Sequence, residues 1–199
     1  MNEISLTAYT DAAAFNNGRK IPSLPEHSAS AGVILFDDII IVSTSRFNPN
    51  STISFGELTA IRILLKKVYE LAEESNSFIN LELYSDSAYS VQAINIWMKD
   101  WKKRSNGKYW FNSSGARVAH QDILEDIDSL MSNDFMKVTL RHISGHIDCS
   151  KKKHITKAKE RFRRFNLQDV TLEELLIHTK YNDLCDAYAK CVLKESMGI

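Results

Sequence analysis

Leu81-Glu82-Leu83-Tyr84-Ser85-Asp86-Ser87-Ala88 is the stretch on which the reading of the fold turns. Residues 81–84 predict a short strand. Asp86 follows it directly and opens a helix marked by Ala88, Val91, Asn95, Met98 and Trp101 at helical spacing, with Asn95 the weak point of that apolar row. The N-terminus repeats the pattern: Ile4, Leu6 and Ala8 alternate with polar residues and predict a strand ending at Asp11, in Tyr9-Thr10-Asp11. If these two strands are neighbours, both carboxylates meet at one end of a sheet.

Working outward, Gly18, Pro22 and Pro25 make residues 16–30 a loop, and the β-branched runs at 31–36 and 39–45 read as a hairpin around Asp37-Asp38. Leu58, Ile61, Leu65, Val68 and Ala72 predict a long helix over about 55–74, residues 122–131 a further helix, and 137–142 a fifth strand. Ile155, Ala158, Phe162 and Phe165 carry helical spacing through a basic stretch. Thr171 with Glu174 forms a capping-box pattern that opens a helical region reaching Lys194, with a break expected near Tyr181. The order β-β-β-α-β-α-α-β-α predicts one α/β domain over 1–199: a mixed five-stranded sheet, three antiparallel then parallel strands, flanked by helices, with a basic helical segment inserted before the last helix.

The 199 residues carry 25 Lys/Arg and 25 Asp/Glu, so the net charge is zero, which by itself argues against a nucleic-acid partner. The distribution reverses that impression. Residues 97–118 hold six Lys/Arg against Asp100, and residues 147–170 hold eight against three acids. Each segment is therefore +5 and the rest of the chain is −10. A polyanion site beside a metal site requires such segregation; the plain alternative is two solvated loops. No apolar run approaches the roughly 20 residues needed to span a bilayer, so no membrane partner is expected. Residues 1–7 lack the pattern of a secretory signal. The three cysteines, Cys149, Cys185 and Cys191, do not suggest a disulfide framework, and a reducing cytoplasm is the expected location.

Two further acids stand at helical positions: Glu57 in Gly56-Glu57-Leu58-Thr59-Ala60 and Asp186 in Asn182-Asp183-Leu184-Cys185-Asp186. Taken singly, Asp86 is explained by a helix cap, Glu57 by the helix dipole and Asp186 by solvent exposure. Taken together, four carboxylates at strand ends and helix starts suit a pair of Mg²⁺ ions about 4 Å apart, the arrangement that activates water and stabilises a leaving oxygen in phosphoryl hydrolysis. His146, Cys149 and His154 lack a fourth partner for zinc. No phosphate loop of the Walker type occurs. Cys185 has no base to activate it. Tyr109, Trp110 and Phe111 are open to two readings, stacking on nucleic acid or packing the basic segment onto the body, of which packing is preferred.

The ordered series Tyr9-Thr10-Asp11, Glu57-Leu58-Thr59-Ala60, Tyr84-Ser85-Asp86-Ser87, Trp97-Met98-Lys99-Asp100-Trp101-Lys102-Lys103-Arg104, Ser144-Gly145-His146 and Asn182-Asp183-Leu184-Cys185-Asp186 resembles the type 1 ribonuclease H family over nearly the whole chain. The resemblance implies that Asp11, Glu57, Asp86 and Asp186 are the acidic metal ligands and that His146 assists proton transfer or product departure. It also implies that 97–118 is a basic handle gripping the DNA strand, with Trp101, Lys102, Lys103 and Arg104 at its start. Thr52 keeps a phosphate-binding hydroxyl, and Ser54 stands where the family usually has an amide that touches substrate bases. This sequence departs from the pattern in placing Ala12, Ala13 and Ala14 after Asp11 where a glycine is usual. It departs again in an insertion at 147–180, between His146 and Asn182.

The implied activity is endonucleolytic hydrolysis of the RNA strand of RNA–DNA hybrids, leaving 5′-phosphate and 3′-hydroxyl ends. Two Mg²⁺ are the expected cofactors, with Mn²⁺ as the alternative ion. Primer removal or clearing of hybrids is the implied role, and a monomer is expected. Lys152, Arg161 and Arg164 in the insertion are candidate phosphate contacts; a solvated helix or a protein partner through 147–180 are the competing readings. Two rival functions stay open at this level: another nuclease of the same fold, such as a junction resolvase or integrase-like enzyme, and a binding module without turnover.

Overall fold

A computed structural model describes residues 2–199. Five strands form one sheet in the order β3-β2-β1-β4-β5. Strands β1 (Asn2–Phe15), β2 (His27–Phe36) and β3 (Ile39–Asn48) are antiparallel neighbours, and β4 (Ser77–Ser85) and β5 (Met136–His142) continue the sheet in parallel on the other side of β1. This is the expected mixed sheet.

Alternation along β1 sends side chains to opposite faces. Leu6 and Ala8 join Ile34, Ile79, Leu81 and Leu83 in a core covered by α1 (Ile53–Ser75) and α4 (Gln121–Met131). Tyr9 joins Val33, Leu35 and Tyr84 in a second core covered by α5 (Lys152–Asn166) and α6 (Leu172–Met197).

Three expectations need correction. Strand β1 does not end at Asp11: it runs on to Phe15, paired with β2 as far as Phe15↔His27, which shortens the loop expected at 16–30. Ala12–Ala14 give no alternation to read. Their small side chains matter instead to close packing, since Ala13, Ala29 and Ala31 form a cluster with Ala189 and Leu193 of α6.

The helix expected over 88–101 is α2 (Ala88–Gln92) and α3 (Met98–Lys103) joined by a π-helical turn, Ala93–Trp97. A wider turn shifts the helix face, and Asn95 within it donates from Nδ2 to the Leu140 carbonyl (2.9 Å). The polar residue that spoils the apolar row is thus paired with the edge strand β5.

Helix α6 is unbroken at Tyr181, whose ring is buried and whose hydroxyl donates to the Asp38 carbonyl (3.1 Å). Its start carries the expected capping box between Thr171 and Glu174. Residue 180 therefore lies inside α6, and the stretch expected as one segment over 147–180 divides between α5 with its flanking loops and the first part of α6. No helix among the described residues is long and apolar enough to cross a membrane.

Helix α5 is tied to the sheet at its C-terminal end. The His142 amide donates to Asn166 Oδ1 (2.9 Å), Asn166 Nδ2 donates to the His142 carbonyl (2.7 Å), and the Phe165 ring stacks on His142 at 4.2 Å. One side chain thus does for the edge strand what a sixth strand would do. Asn166→Ala leaves both backbone groups of a part-buried strand end without this partner, which should cost about 1–3 kcal/mol. For a chain of this size that is a fall of several degrees in Tm, on the order of 2–4 °C per kcal/mol. A thermal melt followed by circular dichroism checks it; an unchanged Tm would show that α5 is not fastened through Asn166.

Candidate metal centre

The parallel register of β1 and β4 ends at Thr10↔Ser85, so Asp11 and Asp86 emerge side by side where β4 stops. Ser87 caps α2 by accepting from the Ser90 amide (3.3 Å). Capping falls to Ser87, which leaves the Asp86 carboxylate free for another role. Glu57 arrives from α1. It lies in the second turn, not the first, and is buried, so it does not simply complement the helix dipole. Gly56 lets α1 sit this close: a Cβ there would stand 2.9 Å from Ser28 Oγ and 3.1 Å from Ala12 Cβ. The Ser30 hydroxyl fixes the approach by donating to the Gly56 carbonyl (2.7 Å).

One carboxylate oxygen from each of Asp11, Glu57 and Asp86 lies within 4.8 Å of the others. Asp11 and Glu57 are only 4% and 8% exposed. Asp11 Oδ1 accepts from the Ala12 amide (2.7 Å). Asn182 Nδ2 reaches both Asp11 Oδ2 (3.4 Å) and Asp86 Oδ2 (3.3 Å). Glu57 Oε2 is buried with no hydrogen-bond partner. Hard oxygen donors from three elements, one of them orphaned, fit a divalent cation such as Mg²⁺.

Electrostatics agree with the geometry. The Asp11 carboxyl is pushed up to about 8, by burial first and by the Asp86 charge second. Glu57 is held well above the usual carboxylate range by burial and then by Asp11. Asp86 is raised by burial, against the opposing hydrogen bond from Asn182.

Asp186 does not join this cluster. It lies one helical turn beyond Asn182, 14% exposed, and Lys190 Nζ donates to its Oδ2 at 2.5 Å. His146 stands on an exposed loop with φ 51°, its Nδ1 3.7 Å from Asp183 Oδ1. Asn182 and Gly145 were quoted in motifs without a role of their own. A Cβ on Gly145 would land on Asp86 Oδ2 and lie 3.0 Å from Asp86 Cγ, so only a residue without a side chain lets the 144–146 loop lie against the carboxylate. For Asn182 the signal available was its i, i+4 spacing to Asp186. His142 was also missed: its Nε2 donates to the Asp86 carbonyl (3.1 Å), and burial pushes it down to about 4, so the ring stays neutral.

The candidate nucleic-acid residues fall into three groups. Thr52 is the α1 N-cap, its hydroxyl accepting from the Phe55 amide (3.2 Å), and Ser54 is half-buried in the first turn. In the basic segment Lys102 is paired with Asp128 and Lys103 with Asp100 (3.5 Å). The Trp101 ring is buried against Trp97 (5.8 Å) and belongs to the core, so it does not offer a free stacking face. Arg104 and Arg117 line a groove of about 590 Å³ walled by Trp97, Trp101 and Asn112. Trp110 is buried, in keeping with packing of this segment onto the body. Lys152, Arg161 and Arg164 are exposed on α5.

A mixed sheet with buried carboxylates gathered from two strand ends and a helix, together with a groove that Arg104 and Arg117 line, defines a metal-dependent hydrolase of the nuclease kind. A family model for RNase H matches residues 3–157. Ribonuclease H of Chlorobaculum parvum is 27% identical over 194 residues, 97% of this chain and 98% of the relative. That of Thermosynechococcus vestitus is 30% identical over 138 residues, 69% and 76% respectively. Among solved structures, LC9-RNase H1, described as a type 1 RNase H with the type 2 active-site motif, superposes with a TM-score of 0.59 at 16% identity, covering 87% of this chain and 81% of that one. The chain belongs to the RNase H family, and it is an enzyme of the ribonuclease H type.

Two outcomes follow. Gly145→Ala must displace Asp86 or the loop, and a shift of about 1 Å in such a site costs on the order of 10²-fold in rate. Turnover should fall by that order while the far-ultraviolet spectrum is kept; normal turnover would mean the loop yields without disturbing Asp86.

The second outcome concerns pH. A carboxyl whose pKa is higher in the folded than in the unfolded state stabilises the fold at low pH and loses that contribution as pH rises through the folded value. Buried His142 and His178 shift the opposite way, both down to about 4 from 6.5, so their contribution rises with pH and levels off only about one unit above 6.5, partly offsetting the decline at the start of the window. Between pH 6.5 and 8 the metal-free protein should therefore lose on the order of 1–2 kcal/mol through Asp11. Asp11→Asn, or millimolar Mg²⁺, should flatten the decline in Tm, and an equally steep decline in Asp11→Asn would assign it elsewhere.

Proposed function

We propose that this protein cuts the RNA strand of RNA–DNA hybrids with two divalent cations, Mg²⁺ in the first instance and Mn²⁺ as an alternative, leaving 5′-phosphate and 3′-hydroxyl ends. The observation that carries the reading is the cluster of Asp11, Glu57 and Asp86 within 4.8 Å, with Glu57 Oε2 unpaired, in a chain of this family. A solved foamy viral protease–reverse transcriptase in complex with RNA/DNA hybrid shares the fold, with a TM-score of 0.59 at 15% identity over 94% of this chain and 20% of that one.

Asp11, Glu57 and Asp86 would hold the cations, and Asp186 would complete the set once Lys190 releases it. Bound there, the cations supply an activated water and a stabilised leaving oxygen. The remaining work belongs to the chain. Asn182 keeps Asp11 and Asp86 turned toward each other although like charges repel. His142 and Gly145 hold Asp86 from behind and from the side. His146, exposed at the rim, takes or gives a proton as the product departs. Thr52 and Ser54 sit where the RNA strand would pass the start of α1. Arg104 and Arg117 present charge to the DNA strand, with Lys102 and Lys103 held by acids until substrate competes for them.

Labelled hybrid should be cleaved only with the divalent ion, and only on the strand bearing 2′-hydroxyls. Asp86→Asn should abolish cleavage, by about 10³-fold or more, because a neutral amide does not anchor a divalent ion as a carboxylate does. Its hybrid affinity should stay within about threefold, since phosphate grip rather than the acids supplies most of the binding energy. Near-normal turnover by Asp86→Asn would overturn the assignment of the centre. Equal cutting of duplex DNA or of a four-way junction would point to another nuclease of this fold.

A further inference from the structure

The basic helix α5 lies beside the metal centre, and its charges divide into two sets. Phe162 and Ala158 are buried and Ile155 is half-buried, facing the core that holds Tyr9 and His178. His154, Lys157 and Arg161 recur at spacings of three and four, which places them on one side of the helix. They line a cleft of about 320 Å³ whose other wall is the loop from Ser144 to Ile147. That loop includes Gly145, which touches Asp86, and His146. Lys152, Lys159 and Arg163 fall on the opposite side of the helix and do not line the cleft.

The cleft cations are not tied to acids, although Arg161 also lies over the Phe165 ring at 5.8 Å. Among the described residues, the ion pairs of this region are His146 with Asp183 (3.7 Å), Lys151 with Asp148 (2.8 Å) and Arg163 with Asp169 (3.6 Å), and neither Lys157 nor Arg161 has an acidic partner. Two unpaired cations facing a loop that leans on a buried carboxylate cluster present a strip of positive charge that begins at the rim of the metal centre. The strip is held rigidly, because Asn166 and Phe165 fasten α5 to His142, and His142 in turn contacts Asp86. A phosphodiester backbone is a repeating anion of the right charge and shape for it, whereas an acidic peptide would meet the same cations without the adjoining metal centre.

We propose that the cleft between α5 and the 144–147 loop is a second phosphate-binding site, in which Lys157 and Arg161, with His154 beside them, take backbone phosphates of the hybrid immediately beyond the point of cleavage. This extends the hybrid-cleaving reading and rests on it. It also moves the site from Lys152, Arg161 and Arg164 to the residues that the cleft selects.

The test compares two double variants of equal charge in the full chain: Lys157→Gln with Arg161→Gln in the cleft, and Lys152→Gln with Lys159→Gln on the far side. Gln keeps much of the aliphatic stem, and a thermal melt confirms folding of each. Hybrid binding is measured in an Asp86→Asn background from 50 to 200 mM salt, and turnover in the Asp86 parent. If two phosphates are held, the cleft pair should flatten the log–log salt slope by about 1.5–2, so that the affinity lost over that salt range shrinks roughly tenfold. KM should rise several-fold with kcat nearly unchanged, as loss of uniform binding requires. The far-side pair should change the slope by less than about 0.5.

An unchanged slope in the cleft pair overturns the proposal and leaves α5 to a protein partner or to solvent. An equal effect from the far-side pair also overturns it, in favour of diffuse attraction by the whole helix. Both results are distinct from failure of the parent reading, which would show as no cleavage of hybrid by the unaltered protein.

Discussion

Burial of mutually repelling carboxylates is the constraint around which this molecule is arranged. Asp11 and Glu57 are almost wholly removed from water, and Asp86 stands beside them within 4.8 Å. Each would be more stable protonated or in solvent. They stay because each is held by a different element whose placement is over-determined. The β1–β4 register brings two of them to one sheet end, Gly56 lets α1 deliver the third, and Gly145 closes the loop against Asp86. Asn182 alone bridges Asp11 and Asp86, and its own Oδ1 is buried without a partner. A site with unpaired oxygens on both Glu57 and Asn182 is finished by something outside the chain, and a hard cation is the species whose charge and ligand preference match.

The opposite charge is distributed with equal economy. A net charge of zero hides two segments of +5. In the basic segment Lys102 and Lys103 are neutralised by acids of α4 and of the same region, and the three tryptophans pack on the core. Arg104 and Arg117 face a groove, and Lys99 and Lys108 are exposed. On α5 only Arg163, among the described residues, has an acidic partner. The two basic regions differ in placement: one holds part of its charge against acids beside a groove, and the other is an exposed strip fixed to the edge of the sheet.

Much of this was legible in the chain. Elements with clear periodicity, α1, α4, β4 and β5, fall within a few residues of where the pattern puts them. The order of Asp11, Glu57 and Asp86 anticipated three carboxylates that the fold gathers. Misreadings occurred where side chains carry no period or two principles compete. Ala12–Ala14 extend β1 because β2 supplies backbone partners and α6 needs small residues there. Asn95 marks a π-helical turn, which a fixed 3.6-residue period cannot anticipate. The helix runs unbroken through Tyr181, whose hydroxyl is satisfied by a carbonyl 143 residues away in sequence, a partner that no local pattern could show. Trp101 was given a nucleic-acid role by the family resemblance, while the apolar row that it shares with Met98 already pointed to the burial seen against Trp97 and the core. Asn182 and Gly145 escaped notice as determinants because their importance lies in distances to Asp86, and long-range distances leave no local trace.

The position of α5 illustrates how a helix can close the edge of a mixed sheet. Strand β5 is the sheet edge, and an exposed edge invites pairing with another chain. Asn95 from the π-helical turn covers the Leu140 carbonyl, and Asn166 covers both backbone groups of His142. Helix α5 is thus part of the sheet's closure, and its loss would uncover hydrogen-bonding groups as well as the apolar surface under Phe162. Because the anchor residue His142 also contacts the Asp86 carbonyl, the helix cannot shift without moving the acid cluster. The cation that opposes the upward push on the cluster comes from α6, where Lys190 acts against the burial of Asp11. The basic helix α5 is tolerated here because it closes the sheet edge and braces the strand end on which Asp86 leans.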